Sequence, residues 1–132
     1  MTQEKQNAVN AIEEKADLIG NVADHIWEYA ELSLQEVKSA ALYCEVLEKE
    51  GFQVEKGISG IDTAFSASFG SGRPVIGILA EYDALPGYGP GHDTPAHACG
   101  HNWIAASTFA ACAALAKIKP LFKGKIVYIG TP

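Results

Sequence analysis

One short loop, His97-Ala98-Cys99-Gly100-His101, holds the residues best suited to chemistry in this chain. His97, Cys99 and His101 alternate with Ala98 and Gly100, so in an extended backbone all three side chains leave on one side. Gly100 lacks a Cβ and can take positive φ, which lets Cys99 and His101 bend around a common point. Asn102 then reads as the N-cap of a helix that starts at Trp103. A thiol beside a helix N-terminus favours the thiolate form. Imidazole with thiolate is a normal ligand pair for zinc and similar divalent ions. A second pair precedes the loop. Glu81 and Asp83 sit two apart, directly after the apolar run Val75–Ala80. Two acids in that place are costly unless something positive faces them. Taken alone they read as solvated loop acids. Beside the histidine–cysteine loop, on the same sheet edge, they favour a metal centre.

Other motifs carry less. His92 falls in the Gly/Pro-rich stretch Pro86–Pro95 and reads as a solvated surface residue. Gly87-Tyr88-Gly89-Pro90-Gly91 is turn chemistry, because no helix starts there and no lysine follows. No Gly-x-Ser-x-Gly elbow exists for a serine hydrolase. Cys44 and Cys112 lie on apolar helix faces and read as core. Three cysteines at such spacing do not make a disulfide framework. Three rivals stay open at this point. One is a non-catalytic metal-binding module that uses His92, His97, Cys99 and His101. Another is a protein–protein role, in which an exposed sheet edge pairs with a complementary chain that carries further ligands. A third treats Cys99 as a redox thiol, although no resolving cysteine lies near it in sequence.

The elements that must position these residues follow from periodicity. Val9, Ile12, Ala16, Ile19, Val22/Ala23 and Ile26 mark one face of a leading helix. A second helix opens after it, with Ser33 and Glu36 as a capping box and Leu32 and Val37 as a hydrophobic staple. Val37, Ala40/Ala41, Cys44 and Leu47 form its buried stripe, and Gly51 stops it. Phe52–Lys56 reads as a short strand. Phe65, Ala67 and Phe69 alternate with small or polar residues as a half-buried strand does. Val75–Ala80 predicts a central strand buried on both faces, and Lys125–Ile129 a second one. The alanine-rich stretch Trp103–Lys117 predicts the crossover helix between them. The order predicts a layered α/β fold with a mixed sheet, its chemistry at the carboxyl ends of parallel strands.

Composition sets outer bounds. The 132 residues, 48% apolar and 20% charged, are enough for one modest core. Residues 1–55 hold twelve acids and four bases, and residues 56–132 hold four acids and six bases. With one arginine and no basic patch, nucleic-acid binding is not expected. No apolar run approaches the ~20 residues of a membrane-spanning helix. The N-terminus lacks the pattern of a secretory signal, so a cytoplasmic protein is expected.

Ala80-Glu81-Tyr82-Asp83-Ala84-Leu85-Pro86, followed by His97-Ala98-Cys99-Gly100-His101-Asn102, closely resembles the M20 metallopeptidase family. The likeness is to its amidohydrolase branch, with aminoacylase-like and aminobenzoyl-glutamate hydrolases, and Trp27–Ser33 fits that branch too. The resemblance implies the N-terminal part of a three-layer αβα zinc-peptidase-like catalytic domain. It implies that Cys99 and His101 are metal ligands and that Asp83 orients a ligand and supports catalysis. Glu81 and His97 become supporting residues around them. The family hydrolyses amide bonds of N-acyl amino acids or short peptides with two divalent metals, zinc or manganese. Its general base and a further ligand are consecutive glutamates after the strand matching Lys125–Ile129, where this chain reads Gly130-Thr131-Pro132. Residues 1–132 are therefore expected to form a partial catalytic domain, without the dimerisation domain and without activity alone. The parent is expected to be a homodimer, and the isolated piece to self-associate through an exposed sheet edge.

Overall fold

The leading apolar stripe belongs to two helices, not the single one its spacing predicts. The computed structural model, which describes residues 1–121 and 123–132, places α1 at Gln3–Glu13 and α2 at Ala16–Tyr29. Lys15, at φ −109° and ψ 9°, breaks the run, and its ammonium pairs with Glu50 at 2.6 Å. The break resets the helical phase. Val9, Ile12 and Ala16 end up exposed, while Ala11 is buried on α1 and Ile19, Val22, Ala23 and Ile26 are buried on α2. The two expected leading helices are thus three.

α3 spans Val37–Lys49. Its expected capping box and staple do not form. Leu34 takes φ +65°, and Val37 is exposed. The cap comes from further back: the Glu31 carboxylate accepts from Lys38 N–H at 2.9 Å and from Ser39 N–H at 2.8 Å. A carboxylate there satisfies orphan donors and meets the positive end of the helix dipole. The buried side holds Ala40, Tyr43, Cys44 and Leu47, with Ala41 exposed.

Four strands follow: β1 Gln53–Lys56, β2 Phe65–Ser71, β3 Val75–Glu81 and, after α4 (His101–Lys117), β4 Gly124–Thr131. Their order in the mixed sheet is β1-β2-β4-β3. β1 and β2 pair antiparallel, β2 and β4 antiparallel, and β3 and β4 parallel. The parallel pair joined by α4 is the expected crossover. The expected central strand, however, sits at the edge. β4 takes the centre, and Val75, Ile76 and Leu79 of β3 are 56%, 56% and 63% exposed. Nor is β4 buried on both faces; its burial alternates residue by residue.

That alternation shows where the core lies. Tyr128 stacks on Phe65, meets Tyr43 of α3, and its hydroxyl donates to the Ala105 carbonyl of α4. Ile126, Tyr128, Ala67 and Phe65 therefore line the face that the helices cover. Gly130 sits against the Phe65 ring, where any Cβ would collide. On α4 the alanines 105, 106, 110 and 113 let the helix lie close against the sheet, with Phe109 as its one large buried group. Among the described residues the other face carries no helix.

Candidate metal centre

The carboxyl end of β3 delivers Glu81, Tyr82 and Asp83. Tyr82 is the anchor. It is fully buried, packs at 6.0 Å on Phe65, and its hydroxyl donates to the Thr63 carbonyl at 2.5 Å. With Tyr82 turned into the core, its two acidic neighbours are turned the other way. The next segment is brought alongside by backbone pairing. Leu85 and Ala96 exchange both N–H···O bonds at 3.0 Å, which closes the Gly/Pro-rich loop and lays Ala96–His101 against the acidic turn.

Gly100, at φ +78°, then turns the chain into α4. Its carbonyl accepts from Trp103 and Ile104 at 2.9 and 3.0 Å, so Gly100 is the N-cap. Asn102 is not. It is buried in the first turn, and its amide donates to the Ala23 carbonyl at 3.4 Å, tying α4 to α2. The helix thus begins at His101, two residues earlier than expected.

His101 is where the groups meet. Its Nδ1–H donates to Asp83 Oδ1 at 2.5 Å, and its Nε2 lies 3.6 Å from Glu81 Oε2. Asp83 and His101 are each 19% exposed at the side chain, and Glu81 is 55% exposed. A carboxylate on Nδ1 fixes ring orientation and tautomer, leaving the Nε2 lone pair outward; this is how metal-binding histidines are commonly supported. Cys99 is exposed, beside a helix start that brings its own partial positive charge.

His97 lies on the inner side. It is 4% exposed, its Nε2–H donates to the Ile26 carbonyl at 2.9 Å, and its ring packs 6.4 Å from Trp27. Burial pulls its pKa below the ordinary histidine value, against weaker opposing pulls from the Ile26 carbonyl and Asp83. His92 is exposed on a separate turn. The four-donor set His92, His97, Cys99 and His101 does not come together: among the described residues no three His, Cys, Asp or Glu side chains converge as a cation site. The donor chemistry suits a divalent metal, since an outward imidazole nitrogen, a thiol and a carboxylate sit on one edge. Among the described residues these donors do not close around a common point. Sequence reasoning missed Glu31, which caps α3 and whose carbonyl accepts from Ala84 N–H at 2.7 Å. Nothing in the local pattern marks a cap six residues ahead of its helix.

No family model matches the chain. Relatives do. It is 40% identical over 118 residues to a p-aminobenzoyl-glutamate hydrolase chain of Escherichia coli, covering 82% of this chain and 24% of that protein. It is 30% identical to N-acetyl-L-cysteine deacetylase of Bacillus subtilis, covering 98% of this chain and 33% of that one. Among solved structures, a dinuclear metal-binding peptidase of the M20 family from Bacillus subtilis superposes with a TM-score of 0.79 at 28% identity, over 91% of this chain and 36% of its own. A putative aminohydrolase from methicillin-resistant Staphylococcus aureus gives 0.81 at 25% identity, over 96% and 34%. The fold is the α/β arrangement of these solved neighbours. The chain belongs to the M20 metallopeptidase family, with its likeness in the amidohydrolase branch. It spans about a quarter to a third of the length of the curated relatives it matches.

Proposed function

We propose that this chain is the N-terminal part of the catalytic domain of a metal-dependent amidohydrolase, which cleaves amide bonds of N-acyl amino acids or short peptides. The observation that carries the reading is the Asp83–His101 pair at the carboxyl end of β3, with Cys99 exposed two residues before His101. Cys99 and His101 are the metal ligands in this reading. Asp83 orients His101 and supports catalysis, Glu81 stands beside the ring, and His97 holds the loop from behind. Two divalent cations, zinc or manganese, would polarise the amide carbonyl and make a water nucleophilic when bound. The remaining ligands, the general base and the dimerisation domain belong to sequence outside residues 1–132, and the whole enzyme is a homodimer. The 132 residues alone turn over no substrate and bind metal weakly. They also self-associate through the edge of β3, where Val75, Ile76 and Leu79 are exposed.

Titration calorimetry with zinc and with manganese tests this. One weakly held zinc per chain is expected, abolished by Cys99→Ala or His101→Ala and weakened about 10-fold by Asp83→Asn. Binding that survives both ligand changes but not His97→Ala would sink the reading. Hydrolysis of N-acyl amino acids by the chain alone, lost in Cys99→Ala, would overturn the claim that these residues are inactive by themselves.

A further inference from the structure

The segment ahead of α3 lies beneath the turn that carries Asp83. Ala84 N–H donates to the Glu31 carbonyl at 2.7 Å, and Leu32 and Ala84 form a parallel bridge. On the far side, the Tyr82 hydroxyl donates to the Thr63 carbonyl at 2.5 Å. Glu36 lies among these groups. It is 0% exposed, and neither carboxyl oxygen makes a hydrogen bond of good geometry; the Thr63 hydroxyl and the backbone of Leu34 and Glu36 itself lie near enough to act on it only weakly. The salt bridges of the described residues bypass it. The charged group that acts on it is Asp83, of its own sign.

A bare carboxylate in that place would be doubly unfavourable, through lost hydration and through repulsion of Asp83. Asp83 has work to do on its other side, where it holds Nδ1 of His101. We propose that Glu36 is a positioning residue. In uncharged form it closes the floor beneath the Tyr82–Asp83 turn, so that Asp83 meets His101 without a competing negative charge below. The inference rests on the roles given above to Asp83 and His101. The surroundings agree from each element. Burial, the largest effect, holds the Glu36 carboxyl above its ordinary value, and the charge of Asp83 adds to it. Its own backbone, Thr63 and Leu34 pull more weakly the other way. Tyr82, the other titratable neighbour, is held above the ordinary tyrosine value by burial first and by Glu36 next, so it stays a neutral hydroxyl.

The test uses the full chain in three forms: wild type, Glu36→Gln and Glu36→Ala. Glutamine has nearly the same shape and is never charged. Two metal-free NMR signals are read at neutral pH, the Nδ1 proton that His101 shares with Asp83 and the carboxyl carbon of Glu36. Zinc affinity is measured beside them. The carbon signal is expected to be that of a protonated acid. Glu36→Gln is expected to keep the His101 proton signal and to hold zinc affinity within about threefold, whereas Glu36→Ala shifts the signal and weakens zinc about tenfold. An ionised Glu36 carbon signal, or a Gln variant as damaged as the Ala variant, overturns the proposal. If Glu36→Ala does not fold, the Gln variant and the carbon signal still decide. If Cys99→Ala leaves zinc bound, the ligand assignment fails, while the metal-free signals still judge Glu36 separately.

Discussion

The two faces of the sheet are built to different standards. On the helix side, Phe65, Ala67, Ile126 and Tyr128 are each at most 2% exposed and are covered by α3 and α4. On the other side, register places Gln53 and Glu55 of β1, Ser66 and Ser68 of β2, Val127 and Ile129 of β4, and Val75 and Leu79 of β3. That second face is itself divided. Its β1–β2 half is polar and suited to water, while its β4–β3 half is apolar and suited to a cover. The candidate centre stands where the finished side ends. Asp83, Tyr82 and His97 are held by contacts from the helix side, whereas Glu81 and Cys99 face outward. One half of the candidate site is held from within, and the other half is open to solvent.

The contrast is broken most severely from the finished side. Phe109→Ala removes the large group by which α4 packs on the sheet, and a loss of about 3–5 kcal/mol is expected in urea unfolding. Leu79→Ala on the open side should cost less than about 1 kcal/mol. Equal losses would mean that the open side is covered in solution. Leu79→Lys sharpens the same point: a charge on an exposed edge blocks strand pairing. Sedimentation is expected to show self-association of the wild-type chain, reduced by Leu79→Lys with little change in unfolding. A wild-type monomer at all concentrations would remove the edge as a contact.

The sequence carried the strand–loop–helix–strand order and the meeting of Glu81 and Asp83 with His101, because apolar period, turn residues and chemically specific side chains are local properties. What it concealed was set by distant parts of the chain. Val75–Ala80 has the apolarity of a central strand, yet β4 holds the centre here and β3 the edge. Ser33 looked like the cap of α3, but a turn at Leu34 and the reach of Glu31 displaced it. Asn102 looked like the cap of α4, but Gly100 turns the chain and Asn102 ties α4 to α2 instead. Each miss is a tertiary contact outbidding a local preference. Glu36 is the extreme case, since a glutamate near a helix start gives no local sign of burial.

Glu36 also offers the finest probe of the finished side. Its folded-state pKa lies above the ordinary value of 4.5, through burial first and Asp83 as an added cause. The unfolded chain therefore releases this proton at lower pH than the folded one. The stability tied to the proton is fully present below the unfolded value, and it is lost as pH rises through the folded value. Glu36→Gln removes this dependence, because an amide does not titrate. The other ionisable groups are common to both chains and largely cancel in the difference. As pH rises above the ordinary value of 4.5 and toward the raised folded value, the urea midpoint of Glu36→Gln should rise relative to wild type. A difference that stays flat across this range would place Glu36 in contact with water and remove the contrast at the point where the fold supports Asp83.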